Sequence, residues 1–241
     1  MNAGKALASH FPLSTNGATS GKLYEAWLML EIGITLRGKG WAVDWIDPSQ
    51  IRPSTMTFRG APGSLSPRSP KKPGYLRLRS SDYELEMHNS LQYLGISGTL
   101  HEMDISILPA DYANVCRKTN ARPQGLPFVA LELKHYAGDL SIGLCRSMLM
   151  ALNDLALCWS NRQEAGRVMQ WSRGKEYARI GNVDSSITYL FTTSEKIGAT
   201  QTIASFYGAG VRPRVDADGT RVPGHHPEID RLCDEITGMF R

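Results

Sequence analysis

The chain has 241 residues, 41% of them hydrophobic and 21% charged, enough for one large globular domain or a domain with substantial insertions. A formal charge of +4 permits a polyanionic partner without demanding one. The four cysteines, Cys116, Cys145, Cys158 and Cys233, form no CxxC pair and no zinc-finger spacing, which excludes a zinc module of that kind.

The first 22 residues contain no continuous apolar stretch of a secretory signal. No run of about 18 apolar residues suggests a membrane span. The expectation is a chain without a membrane partner in the reduced cytoplasm. Residues 1–20, rich in Ser, Thr, Gly and Ala, read as a flexible leader to a single domain over 21–241.

In chain order, "KLYEAWLMLEIGITL" followed by "RGKG" predicts a heavily buried helix closed by glycine. "GWAVDWI" predicts a short strand. The Pro/Ser/Gly-rich insertion at about 52–74 predicts a long loop carrying Arg59, Arg68, Lys71, Lys72, Arg77 and Arg79 nearby with no acid among them. It is read either as a solvated arm or as an arm that tracks phosphates, with Lys71 and Lys72 as candidate nucleic-acid contacts.

"YLRLRS" and "YELEMHNSLQYLGI" predict a hairpin pair, and "LHEMDISILP" a further strand. "ADYANVCRKTNARPQGLP" reads as a polar loop. "FVALELKHY" predicts a buried strand that ends in charge. Beyond it come a helix from "DLSIGLCRSMLMALNDLALCW", a strand from "SITYLFTTS" and a helix from "EKIGATQTIASFYGAG". "HPEIDRLCDEITGMF" predicts a last amphipathic helix with Pro227 near its start. The order indicates an α/β fold with a central mixed β-sheet flanked by helices.

Residues two apart on a strand share a face, so Glu132 and Lys134 point together. If the strand bearing Asp104 is a neighbour with a matching face, two carboxylates and an ammonium converge. Buried charges of this kind require partners or a metal. Hard carboxylate oxygens suit Mg²⁺, for which Mn²⁺ is the expected substitute, and Asp104 and Glu132 are the candidate ligands. Such a cation lowers the pKa of a bound water, while a lysine beside it orients that water or offsets phosphate charge. Glu102 shares the Asp104 face and is a candidate fourth acid, although strand-edge residues are more often solvated. His101 and His135 alternate away from that face. His225 and His226 have no carboxylate at ligand spacing.

The succession of an Asp strand, a connection, an E-x-K strand and an apolar helix resembles the PD-(D/E)xK nuclease superfamily, with its restriction-endonuclease-like core. The resemblance covers roughly residues 21–208 and implies catalytic Asp104, Glu132 and Lys134. It also implies an acid on the first helix, for which Glu25 is preferred over Glu31. Met103 stands where the signature has proline, and the long gap to Glu132 requires the 110–127 connection to bulge out as a loop.

The function so implied is Mg²⁺-dependent endonucleolytic hydrolysis of phosphodiester bonds, in duplex DNA. The setting would be prokaryotic restriction, antiviral defence or repair, as a homodimer or a partner subunit. Arg117, Lys118 and Arg122 near the site entrance, and Arg146 on the following helix, are candidate phosphate contacts. The alternative is a non-catalytic module that keeps the fold to bind nucleic acid or a protein. A glycosidase built on Asp104 and Glu132 is disfavoured by the adjacent lysine and by the shortage of aromatic residues.

Overall fold

A computed structural model describes residues 20–47, 56–66, 73–135, 138–164, 186–216 and 224–240, with side chains to residue 156 in the long helix that ends at Glu164. The expected leader (Ser20 apart), Arg68, Lys71, Lys72 and the Cys158 side chain lie outside the described residues.

Helix α1 (Ser20–Gly38) opens the fold and is buried around most of its girth, as its apolar run predicts. It ends in a Schellman turn. The Gly40 amide donates to the Arg37 carbonyl and the Trp41 amide to the Leu36 carbonyl, both at 3.1 Å. Gly40 sits at φ +94°, where a side chain would be strained.

Five antiparallel strands follow: β1 (Ala42–Ile46), β2 (Tyr75–Arg79), β3 (Glu84–Leu94), β4 (Leu100–Pro109) and β5 (Val129–Lys134). Strands β6 (Ile187–Thr192) and β7 (Gly210–Arg212) then add in parallel, giving a seven-stranded mixed sheet in sequential order. The sequence did not announce β7, whose three residues are too short for a periodic signal.

Helix α2 (Ala110–Thr119) lies between β4 and β5, where a loop was expected. Its buried Ala113 and Cys116, three residues apart, give it one short apolar face, and Asn120 ends it in the left-handed conformation. Polar residues around so narrow a stripe made the segment read as a loop. Helices α3 (Ile142–Glu164), α4 (Gly198–Phe206) and α5 (Pro227–Met239) complete the chain.

Two cores result. Helices α1 and α5 pack on one face with Leu76, Leu78, Leu85, Met87, Ile105, Ile107, Leu131 and Leu133. Helices α2, α3 and α4 close the other with Leu91, Tyr93, Met103, Leu108, Ala130 and Leu190. Among the described residues no helix is long and apolar enough to cross a membrane. All apolar anchors of α5, Ile229, Leu232, Cys233 and Ile236, are buried. The most exposed large apolar side chains among the described residues, Met150, Phe206 and Tyr207, belong instead to α3 and to the end of α4.

The insertion is partly built into the fold. Strand β3 outruns β2, and residues 56–66 cover the edge so exposed. Gly63 donates to the Ser90 carbonyl (3.0 Å) and its own carbonyl accepts from Gln92 (2.9 Å). Arg59 is 6% exposed, and its guanidinium is bonded to the carbonyls of Asn89 and Ser64. It is a structural cation rather than part of a solvated arm.

At the other sheet edge, Gly210 pairs with Tyr189, whose ring is stacked under Arg212 and hydrogen-bonded to Glu235. A Cβ at Gly210 would overlap that ring. Gly210→Ala is therefore expected to cost about 1–3 kcal/mol. A urea midpoint equal to that of the wild type would show that the ring can yield.

Candidate active site

Strands β3 and β4 keep one register from Leu85↔Pro109 to Leu94↔Leu100, with a single missing pair, Ser90 opposite Asp104. Ser90 has φ +46° there. Below this row Leu85, Met87, Ile105 and Ile107 belong to the α1 core. Above it Leu91, Tyr93 and Met103 belong to the opposite core. Both strands thus exchange faces at the same row, an irregularity that re-aims side chains as bulges do beside functional sites.

The β4–β5 ladder also stops beside Asp104, its last pair being Ile105↔Leu131. One step further along that register Asp104 stands opposite Glu132. Its Oδ2 accepts the Leu133 amide at 2.8 Å, replacing a ladder bond with a side-chain bond. Lys134 Nζ lies 2.5 Å from Glu132 Oε1. The three groups expected to converge are brought together at this strand end.

Helix α1 supplies a fourth. Glu25 is buried, and its carboxylate accepts from Ser90 Oγ (2.8 Å) and from Lys22 Nζ (2.7 Å). Burial and the Asp104 charge raise its pKa. Glu31 instead accepts the Gly224 amide at the α5 side of the helix, so Glu25 is the acid that the helix directs to the row. Glu102 is no isolated edge residue, since it binds Lys22 at 3.3 Å.

Sequence reasoning missed Lys22 and Ser90. Lys22 is three residues from Glu25, a spacing that pairs side chains on a helix. The polar "HNS" run in the middle of an apolar strand marked the site of Ser90.

The basic residues separate into distinct roles. Arg117 is engaged with buried Glu86 and lies over the Tyr75 ring, 4.7 Å from its centroid. It holds the fold together, where a phosphate contact was expected. Glu86 also holds His88 Nε2 at 2.9 Å, and His88 Nδ1 faces Arg59 Nη1 at 3.4 Å. This arrangement fixes the Nε2–H tautomer. Burial keeps His88 neutral, with its pKa lowered to about 4. Lys118 is exposed and Arg122 half-buried. Arg146 is exposed at a cavity of about 700 Å³ between α3 and α4, on the face away from α1. Asp154 holds His101 at 2.6 Å and Ser97. His135 stacks on Tyr24.

Among the described residues no group of three or more His, Cys, Asp or Glu side chains is arranged to hold a metal ion. The pair Asp104 and Glu132 nevertheless fits Mg²⁺, which takes one or two carboxylates and completes its shell with water and phosphate. The electrostatics agree. Burial and the Asp104 charge push Glu132 up to about 7, against the pull of Lys134. Asp104 is raised as well, chiefly by burial. Two carboxylates that resist joint ionisation form a place where a cation is stabilising.

Without metal, the contribution of Glu132 to stability is complete below pH 4.5, its ordinary value. It is lost as the pH rises through about 7. A bound cation reverses this, so Mg²⁺ is expected to raise Tm more at pH 8 than at pH 5.5. Equal shifts at the two pH values would argue against binding at Glu132.

Fold and row together define a mixed α/β sheet protein with a carboxylate–lysine centre on its middle strands. No protein-family model, curated protein or solved structure matches the chain.

Proposed function

We propose that this chain is a metal-dependent nuclease of the PD-(D/E)xK type, with a restriction-endonuclease-like core, that hydrolyses phosphodiester bonds in duplex DNA. The observation that carries the reading is the bond from the Leu133 amide to Asp104, which sets that carboxylate beside Glu132 and Lys134. Asp104 and Glu132 would hold Mg²⁺, or Mn²⁺ in its place. When bound, the cation supplies a water of lowered pKa and neutralises charge on the scissile phosphate. Lys134 orients the attacking water and offsets the negative charge that grows on the phosphate oxygens. Glu25 supports the centre from α1 through Ser90. Exposed Lys118 and Arg146 and half-buried Arg122 are the remaining described candidates for backbone contacts. The resemblance suggests a restriction, defence or repair effector of the prokaryotic cytoplasm, acting alone, as a homodimer or as a subunit.

The test incubates the protein with supercoiled plasmid, single-stranded DNA and RNA, each with Mg²⁺ or chelator, beside Glu132→Ala and Lys134→Ala. Metal-dependent nicking of plasmid that both substitutions abolish supports the reading. Equal cleavage by all three proteins overturns it. Metal-independent retention of duplex DNA without cleavage would favour the non-catalytic binding module.

A further inference from the structure

Lys22 is one helical turn before Glu25, and among the described residues its ammonium meets Glu25 Oε1 at 2.7 Å, Ser90 Oγ at 2.6 Å and Glu102 Oε1 at 3.3 Å. The Asp104 charge also acts on it. Burial opposes the charged form, yet Glu25, Glu102 and Asp104 together raise the pKa of Lys22. Ser90, from its left-handed backbone position, accepts from Lys22 while donating to Glu25. A hydroxyl so placed fixes the distance between the ammonium and the helix acid.

Counting charge makes the role of Lys22 specific. Among the described residues the row gathers four carboxylates, Glu25, Glu102, Asp104 and Glu132, with two ammoniums, Lys22 and Lys134. With all four ionised, the surplus of two negative charges is what one divalent cation balances. Without Lys22 the surplus is three, and two carboxylates on the α1 side lose their counter-ion.

We propose that Lys22 is a built-in cation that takes, between Glu25 and Glu102, the place a second divalent ion would occupy, so that the chain takes a single divalent ion, at Asp104 and Glu132. This deepens the metal-centre reading above and rests on it. Lys22 is a positioning residue. It sets the metal stoichiometry, draws the Glu25 pKa down against burial and holds that carboxylate in place, without touching the reacting phosphate.

The experiment counts ions directly. Wild-type protein, Lys22→Met and Lys22→Met with Glu102→Gln are dialysed against Mn²⁺ and examined by electron paramagnetic resonance. The expected results are one isolated Mn²⁺ per chain in the wild type and two in Lys22→Met with an exchange-coupled spectrum. The double variant is expected to return to one. Two coupled ions in the wild type, or no ion gained by folded Lys22→Met over the wild type, overturn the proposal. Should Lys22→Met fail to fold by circular dichroism, the wild-type spectrum alone decides between an isolated ion and a coupled pair. If the wild type binds no Mn²⁺, the metal-centre reading fails. A single ion gained by Lys22→Met and lost on adding Glu25→Gln would then still uphold Lys22 as a resident cation.

Discussion

Lys134→Met is expected to slow plasmid cleavage by about 10²–10³-fold, with Mn²⁺ affinity at pH 8 within a few-fold of wild type. Methionine keeps the apolar stem of the lysine and removes only its charge. The variant therefore asks what the ammonium does, apart from how the strand packs. At 2.5 Å from Glu132, the ammonium lowers the pKa of that carboxylate, so the variant's Glu132 rises above its wild-type value of about 7 and the comparison is made at pH 8, where bound Mn²⁺ favours the ionised form. Asp104→Asn is the contrast. It keeps an acceptor for the Leu133 amide but loses the ligand charge, so binding and cleavage fall together. If Lys134→Met cleaves as fast as the wild type, the lysine has no place in the chemistry. If it loses the metal, the division of roles between the carboxylates and the lysine is wrong.

The largest expected loss of stability comes from Glu86→Ala, at about 3–5 kcal/mol, read from the urea midpoint. Glu86 is 2% exposed and meets both Arg117 and His88. Burial disfavours its charge, yet these partners hold its pKa below the ordinary carboxylate value. Removing it leaves the Arg59 and Arg117 guanidiniums near a buried imidazole with no anion between them. The damage extends to the site, because Asn89, next to His88, clasps the Arg59 main chain and its Nδ2 donates to Glu25 Oε2 at 3.5 Å. Arg59 N–H donates to Asn89 Oδ1 (3.1 Å), and Asn89 Nδ2 donates to the Arg59 carbonyl (3.0 Å). A loss below about 1 kcal/mol would mean that water replaces the carboxylate freely.

Much of this was legible from residue pattern. The α1 run, the alternation in β2 and β4, the apolar opening of β5 and the proline start of α5 all gave elements where they occur. The pairing of Glu132 with Lys134 was readable from local rules, two-residue spacing on a strand and the cost of a lone buried charge, whereas their convergence with Asp104 was only conditional on the two strands being neighbours. What escaped was contact made across distance in the chain. Arg117 looked like a surface cation because nothing nearby in sequence foretells Glu86, 31 residues away. Arg59 was hidden in a loop-like composition, although buried charge-assisted bonds determine its place. Glu102 was given the Asp104 face but read as a solvated edge residue, because nothing local foretells Lys22, 80 residues away. The exchange of faces at Ser90 and Asp104 also escaped, because regular strand alternation has no place for it.

That exchange has a bearing on how the protein opens. The inner half of the β3–β4 hairpin is bound into the α1 core and the outer half into the α3 core. Cooperative unfolding units tend to follow such cores. Hydrogen exchange should accordingly protect amides near Met87 and Ile107 in step with α1, and those near Leu91 and Met103 in step with α3. Asp104 and Ser90 lie on the boundary between the two units, so partial opening of either one separates carboxylates that only the closed state holds together. A cation bridging Asp104 and Glu132 would then act as a rivet across a seam, tying local opening to metal occupancy.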